Sequence, residues 1–329
     1  MRVLVTGARG LLGGATARAL AARGDEVTVL QRRPAGLGLA EVLADIGDVG
    51  ALCGAANGHD AVVHLAARVG VVGTEREFVA ANVEGTANLL AAARDAGVRR
   101  FVHVSTPSVA HGGEPLVGAG AGPADPARAH GHYARTKAIA EQLALAAAAE
   151  ADGPAVVAVR PHLVWGPGDE QLIGRIVARA RAGRLALVDA GTALIDTTYL
   201  DNAVDALVAA LDRAEEPEVR GRAFVVSNGQ PRTVAELLGR FCRAAGVPGP
   251  RARVPLPVAW AGGAVAERVW ERTGRSDDPP MTSFMAEQLA TAHWFDQRAT
   301  RRALAWEPQV TLEEGFERLR TWYRATSDR

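Results

Sequence analysis

Close to its start the chain reads Thr6-Gly7-Ala8-Arg9-Gly10-Leu11-Leu12-Gly13, with glycines three apart between a short β-branched run and an Ala/Leu-rich segment of helical period. A strand can turn directly into a helix here only if Gly7 takes the tight turn and Gly13 lets the helix lie close to the strand. Gly10 then keeps the backbone open, and the N–H groups and dipole at the helix start, where Leu11 stands, favour a pyrophosphate. The arrangement predicts dinucleotide binding at Gly7, Gly10, Leu11 and Gly13, with Arg9 in the same loop.

The rest of the first half repeats this alternation. Strands are predicted over 2–6, 26–30, 61–65, 101–105 and 155–160, and helices over 11–23, 48–56, 74–96 and 132–149. Mostly apolar strands separated by helices read as βαβ units around a parallel sheet covered on both faces. Shorter strands follow near 185–188 and 222–226, with helices near 171–182, 202–211 and 234–245. The expected fold is α/β, a doubly wound parallel sheet (Rossmann) with a smaller C-terminal substrate lobe. Residues 1–165, with returning segments at about 186–230, form the dinucleotide domain. Residues 166–185 and about 231–329 form the lobe.

Two stretches depart from the pattern. Residues 111–131 are rich in Gly, Pro and Ala and too long for an ordinary connection, which marks a functional or mobile loop. Residues 246–257 hold four prolines and two glycines and lead into a segment with Trp260, Trp270, Phe284, Trp294 and Phe295. These aromatics suit the core of a compact lobe, and Trp260 and Trp270 with Val265 and Val269 read as a helix core.

Charge and cysteine content exclude several function classes. Among 329 residues, 37 basic side chains balance 37 acidic ones, so no general attraction to nucleic acid is expected. No apolar run reaches the roughly 18 residues of a membrane span, so no stable membrane insertion is expected either. Cys53 and Cys242 are too few for a disulfide framework, and a reducing cytoplasm is the expected compartment. His111, His130 and His132 lack carboxylate or thiolate partners at ligand spacing, so no metal is expected. The expected partner is a small molecule with apolar tails, and a homodimer is compatible with this reading.

Cofactor choice is read at the end of the second strand, where NAD sites usually place a carboxylate on the ribose 2′-hydroxyl. Here the strand ends Leu30-Gln31-Arg32-Arg33, with no carboxylate and two guanidiniums, and Arg9 lies within reach of the same phosphate. Bidentate, charge-assisted contacts to a 2′-phosphate favour NADP(H).

The chain contains a single lysine, Lys137, all other basic residues being arginine. Keeping a compact ammonium in so Arg-biased a chain points to a position a planar guanidinium cannot fill. Of the tyrosines, Tyr133, Tyr199 and Tyr323, only Tyr133 has a lysine four residues on, which places both side chains on one helix face. A neighbouring ammonium favours phenolate, so the pair suits acid–base work. Strand 101–105 delivers Ser105, Thr106 and Ser108 to the carboxyl edge of the sheet, where one hydroxyl can meet a substrate carbonyl; spacing does not choose among them. Asp196 and Asp201 bracket Thr197-Thr198-Tyr199-Leu200, and Asp201-Asn202 reads as a helix N-cap.

These motifs, taken with Asp45-Ile46, His64-Leu65-Ala66-Ala67, Asn82-Val83-Glu84-Gly85-Thr86 and Arg160-Pro161-His162-Leu163-Val164-Trp165-Gly166-Pro167-Gly168, resemble an extended short-chain dehydrogenase/reductase over nearly the whole chain. The resemblance implies a triad of Thr106, Tyr133 and Lys137, with Lys137 on the nicotinamide ribose. It also implies Asp45 and Ile46 beside the adenine, Ala66 and Ala67 beside the cofactor phosphate and ribose, and Pro161, His162 and Leu163 beside the nicotinamide. Val109-Ala110-His111 stands where sugar-nucleotide epimerases commonly carry Val-Tyr-Gly, which weakens that assignment. Ser105–Val109, Val164–Asp169, Asp196–Tyr199 and Glu287-Gln288-Leu289 with His293-Trp294 are most similar to the 3β-hydroxysteroid dehydrogenase branch. Within it they resemble bacterial 2-alkyl-3-oxoalkanoate reductases of olefin and β-lactone pathways. The implied activity is NADPH-dependent reduction of a 3-oxo group to a secondary alcohol.

Overall fold

The computed structural model describes residues 1–70, 72–273 and 279–327; residues 274–278 and 328–329 of the expected lobe lie outside that set. In chain order the first half contains β1 (Arg2–Thr6), α1 (Leu11–Ala22), β2 (Glu26–Gln31), β3 (Ala40–Leu43), α2 (Val49–Ala56), β4 (Ala61–His64), α3 (Glu75–Phe78), α4 (Gly85–Asp95) and β5 (Arg100–Val104). Next come β6 (Leu116–Ala119), α5 (Gly131–Ala147), β7 (Ala155–Pro161), β8 (Val164–Trp165), α6 (Ile173–Arg181), β9 (Ala186–Val188), β10 (Leu194–Ile195), β11 (Thr198–Tyr199) and α7 (Leu200–Asp212). The remainder is β12 (Ala223–Val226), β13 (Arg232–Thr233), α8 (Val234–Ala244), β14 (Ala252–Val254), α9 (Leu256–Thr273), α10 (Ser283–Ala290), β15 (His293–Phe295), α11 (Arg298–Leu304) and α12 (Leu312–Ser327).

Seven strands pair in the order β12-β7-β5-β4-β1-β2-β3, all parallel. Alternate side chains leave opposite faces of each strand, so the β-branched runs feed two cores. Val3, Val5, Val63 and Val157 meet Leu20 of α1 and Leu207 of α7 on one face. Leu4, Val62, Phe101 and Val156 meet Leu52 of α2 and Leu89 of α4 on the other. The sheet is doubly wound, as expected.

Several predicted elements change in detail. β3 was not anticipated; its exposed Ala-Glu-Val-Leu has no strong strand pattern, yet it pairs with β2 in register Val29↔Glu41 and Gln31↔Leu43. The helix expected over 74–96 is interrupted by a π-helical turn at Val79–Glu84, which re-aims Asn82 into the interior. The long 111–131 segment contains β6, which pairs with β15. Arg160, fully buried, also ties it down, donating to the Ala121 carbonyl and to both oxygens of the equally buried Glu141.

Three smaller sheets form beside the main one, β13-β10-β15-β6, β11-β8 and β14-β9. The strand expected near 185–188 belongs to one of these, pairing with β14. Their core is Trp165, packed against Tyr199, Phe241 and Phe316 at centroid distances of 5.3, 5.0 and 4.8 Å. Of the helix core expected at Trp260, Trp270, Val265 and Val269, only Trp270 is half-buried; Trp260, Val265 and Val269 are exposed, because α9 buries Ala259 against Ala286 of α10 instead. The expected N-cap at Asp201-Asn202 is likewise corrected. Tyr199 occupies the cap position, Asp201 lies in the first turn and pairs with Arg318, and Asn202 is buried with its amide on the Val310 carbonyl.

Candidate active site

The carboxyl ends of β1, β4, β5 and β7 converge where the glycine turn begins. Gly7 has φ +78°, and a Cβ there would lie 2.7 Å from the Ala66 nitrogen; a Cβ at Gly13 would lie 2.4 Å from the Gly7 oxygen. Both glycines are dictated by close backbone approach. Gly10 is different: a Cβ would meet only the Gly7 oxygen at 3.4 Å, so its open space faces outward. Gly10 caps α1 without a side-chain hydrogen bond, and the first turn holds no acidic residue. An uncapped helix start behind a bare backbone suits a pyrophosphate.

At the end of β2, Gln31 is buried and its amide donates to Glu41 Oε1, which also accepts from the Ala35 nitrogen at 2.8 Å. Arg32 is 80% exposed at the side chain, with Asp45 at 3.9 Å, and Arg33 is exposed. The expectation that no carboxylate stands here is thus corrected: parallel pairing of β3 with β2 brings Glu41 alongside, and the turn after β3 brings Asp45. Asp45 Oδ1 accepts from the Gly47 nitrogen, and Ile46 packs onto Gly85 at the start of α4.

Beneath the turn lies a buried polar network that sequence patterns did not disclose. Thr86 donates to the Asn82 carbonyl, so His64 Nε2–H must donate to Thr86 (3.0 Å), and His64 Nδ1 accepts from Thr6 (2.8 Å). Thr6 in turn accepts from the Ala66 nitrogen, which fixes the Ala66-Ala67 backbone against the glycine turn. Burial holds His64 neutral, its pKa pushed down to about 3. The Asn82 side chain pairs with both backbone groups of Arg68 and donates to Thr136 of α5, joining the segment after β4 to the helix that carries Tyr133.

Tyr133 and Lys137 occupy the first turns of α5 on one face. Thr106 caps a 3-10 turn, Pro107–Ala110, whose Val109 packs against Ala134 and Ala138 of that helix. Thr106 Oγ1 lies 3.0 Å from Ser108 Oγ, both partly exposed, whereas Ser105 is buried and its hydroxyl has no partner among the described residues. Lys137 is 2% exposed; its ammonium donates to the Val104 carbonyl at 2.7 Å and lies 3.2 Å from His103 Nε2. Desolvation pulls Lys137 down to about 8, opposed by Glu141, which still leaves it charged near neutrality. His103 therefore accepts, its proton sits on Nδ1, and that buried N–H has no partner among the described residues. Sequence reasoning missed His103, since a histidine inside an apolar strand gives no periodic signal.

One electrostatic expectation changes. Burial pushes Tyr133 up to about 12, and the Lys137 ammonium is directed to Val104 and His103, so this arrangement keeps the phenol protonated. The Pro161–Leu163 segment lies at the carboxyl end of β7, the neighbour of β5 in the sheet. Leu163 has φ +43°, held by the Thr198 nitrogen on its carbonyl (3.2 Å) and by the Thr198 hydroxyl on the His162 carbonyl (2.6 Å). Strain stabilised in this way at a strand end is common beside ligands. Among the described residues no group of histidine, cysteine and carboxylate side chains is arranged to hold a metal ion. None of their helices is long and apolar enough to cross a membrane.

Comparison with known proteins identifies the family. Residues 3–227 match the NAD dependent epimerase/dehydratase family. The chain is 41% identical to a 2-alkyl-3-oxoalkanoate reductase of Stenotrophomonas maltophilia, covering 97% of this chain and 98% of that protein. It is 37% identical to a 2-alkyl-3-oxoalkanoate reductase of Shewanella oneidensis, over 96% and 84% of the two chains. Among solved structures, MoeE5 in complex with UDP-glucose and NAD aligns with a TM-score of 0.77 at 26% identity, over 99% of this chain and 100% of that one. The chain belongs to the NAD dependent epimerase/dehydratase family and is an extended short-chain dehydrogenase/reductase.

Proposed function

We propose that this protein reduces the ketone of a 2-alkyl-3-oxoalkanoate to a secondary alcohol, using NADPH. The observation that carries this reading is that Tyr133 and Lys137 lie one turn apart on α5, with the Lys137 ammonium donating to the Val104 carbonyl at the end of β5, two residues before Thr106. Full-length likeness to two 2-alkyl-3-oxoalkanoate reductases supports the substrate class.

When bound, the nicotinamide supplies the hydride. Gly7, Gly10, Leu11 and Gly13 would hold the pyrophosphate, Asp45 and Ile46 border the adenine, Ala66 and Ala67 adjoin the phosphate and ribose, and Pro161 to Leu163 flank the nicotinamide. Lys137 would hold the ribose. Thr106 and Tyr133 hydrogen-bond the ketone oxygen, and Tyr133, protonated through burial, gives its proton as the oxygen gains charge. Exposed Arg32 and Arg33, with Arg9, are available to a 2′-phosphate, while Glu41 is already engaged by Gln31 and Ala35. The lobe formed by 166–185 and about 231–329 would receive the apolar tails.

The test is a panel of 3-oxo acids of increasing tail length, a ketosteroid and UDP-glucose, each with NADPH and NADH, followed by loss of reduced-nicotinamide absorbance. The expected result is turnover of the 3-oxo acids with NADPH. kcat/KM should rise by up to about 0.8 kcal/mol per buried methylene until the cleft is full. A ketosteroid reduced faster than every 3-oxo acid, a flat response to tail length, or a preference for NADH would each remove the corresponding part of the reading.

A further inference from the structure

His111 is 4% exposed, and neither ring nitrogen has a hydrogen-bond partner among the described residues. Two unpaired polar atoms in a buried ring are costly unless something else meets them. The residue follows directly on the 3-10 turn that Thr106 caps. A 3-10 rise of ~2 Å per residue keeps its Cα within ~10 Å of Thr106, at opposite ends of the same short turn. Two further histidines stand close enough for their charges to be felt: His162, at the end of β7, and His293, on β15.

The proton inventory separates the three rings. His293 Nε2–H donates to the Gln288 carbonyl at 2.9 Å, so His293 Nδ1 accepts, at 2.8 Å, from His162 Nε2–H. Those two tautomers are fixed, and both rings are held neutral by burial. His111 alone has its proton unassigned. The charged and titratable groups facing it are His130, Glu114 and Arg128 of its own segment, Glu287 of α10, and His162 and His293. Arg128 pairs with Glu114 at 2.9 Å, and Glu287 accepts from Trp260 Nε1 at 2.8 Å, so these charges already have partners.

We propose that His111 binds the carboxylate of the 3-oxo acid and takes up one proton from solvent as the anion enters. This rests on the ketoreductase reading above and adds the residue that distinguishes an acid from its ester. In a 3-oxo acid the carboxylate lies one carbon from the ketone carbon, so a ketone held by Thr106 and Tyr133 brings the carboxylate near the same turn. The free ring is neutral at neutral pH, its pKa lowered first by desolvation. An anion beside it raises the pKa again, so ring and ligand enter as an ion pair with the proton drawn from the buffer.

Two measurements test this. NADP-loaded enzyme is titrated calorimetrically with a 2-alkylalkanoate, which has the carboxylate but no ketone, in two buffers of different ionisation enthalpy. Uptake close to one proton is expected near pH 7.5 for wild type, and none for the methyl ester or for His111→Gln. In steady state, the wild-type KM for the 3-oxo acid should rise with pH above neutrality, by up to tenfold per unit, while that for the methyl ester stays flat. His111→Gln and His111→Phe should each reduce the acid-over-ester ratio of kcat/KM at least about tenfold, chiefly through KM. An unchanged ratio, or no proton uptake by wild type, overturns the role of His111 while leaving the ketoreductase reading intact. Failure of wild type to reduce any 3-oxo acid or ester overturns both.

Discussion

In the proposed reaction Tyr133 serves as an acid because burial outweighs its neighbour: the ammonium four residues on is directed to Val104 and His103, and the phenol is pushed up to about 12. A protonated phenol suits reduction, in which the substrate oxygen must receive a proton. Tyr133→Phe is therefore expected to lower turnover at least about a hundredfold, the scale of lost acid–base catalysis, with little change in NADPH affinity measured by fluorescence titration. Lys137→Arg should be severely impaired as well, since a planar guanidinium cannot reproduce the short contact to the Val104 carbonyl in a 2% exposed position. Replacing Arg32 and Arg33 by Ala should weaken NADPH by about 1.5–3 kcal/mol per lost charged hydrogen bond and leave NADH nearly unchanged, again by titration. Equal losses for both cofactors would show that these arginines do not read the 2′-phosphate. Tyr133 and Lys137 were legible in the sequence because the chain has a single lysine and it falls at helical spacing from a tyrosine. His103 was not, and His111 stood out only as one of three histidines around the long loop; the burial that marks both rings is created by the packed structure.

At the level of elements, the tie between β7, α5 and the 111–131 segment is a fully buried ion pair. Arg160 donates to Glu141 and reaches the Ala121 carbonyl, so one guanidinium fixes the helix bearing Tyr133 and the segment after Thr106 to the same strand. Removing one partner leaves a buried charge uncompensated, and Glu141→Leu is expected to cost about 3–5 kcal/mol in urea unfolding. Combining it with Arg160→Met should recover most of that loss. A single variant of near wild-type stability would show that the pair is not buried as described. The long segment drew attention through its composition, but its anchoring by β6 and Arg160 depends on residues far away in sequence. The same holds for β3 and Glu41, and for α9, whose Trp260, Val265 and Val269 match a helical stripe yet face outward because Ala259 makes the contact with α10. Periodicity locates a helix; which stripe is buried depends on the partner it meets.

Across the whole molecule, the doubly wound sheet was readable because each central strand is apolar on both faces. The internal histidines impose a cost that the strand pattern does not reveal. His64 is pushed down to about 3 and His293 to about 4, and His103 and His162 lie well below the ordinary histidine value, desolvation being the largest cause in each. Unfolded, each would protonate near 6.5. Their neutral forms therefore contribute stability that is fully present above about pH 6.5 and is lost as pH falls toward the folded values, at up to about 1.4 kcal/mol per pH unit for each ring. Urea midpoints should fall steeply from pH 6.5 to 4.5 and change little between 7 and 8; a flat acid limb would show that these rings are not held neutral.

In the proposed reaction Thr106, Tyr133 and Lys137 direct hydride to the ketone carbon of a 2-alkyl-3-oxo acid. It is tested most directly by incubating the protein with NADPH deuterated at the transferring position and a long-chain 2-alkyl-3-oxoalkanoate, then analysing the product by mass spectrometry. The account predicts a 2-alkyl-3-hydroxyalkanoate with one deuterium on the carbinol carbon, formed at least about a hundredfold more slowly by Tyr133→Phe. Unreduced substrate after prolonged incubation, or equal deuterium transfer by Tyr133→Phe, would contradict it.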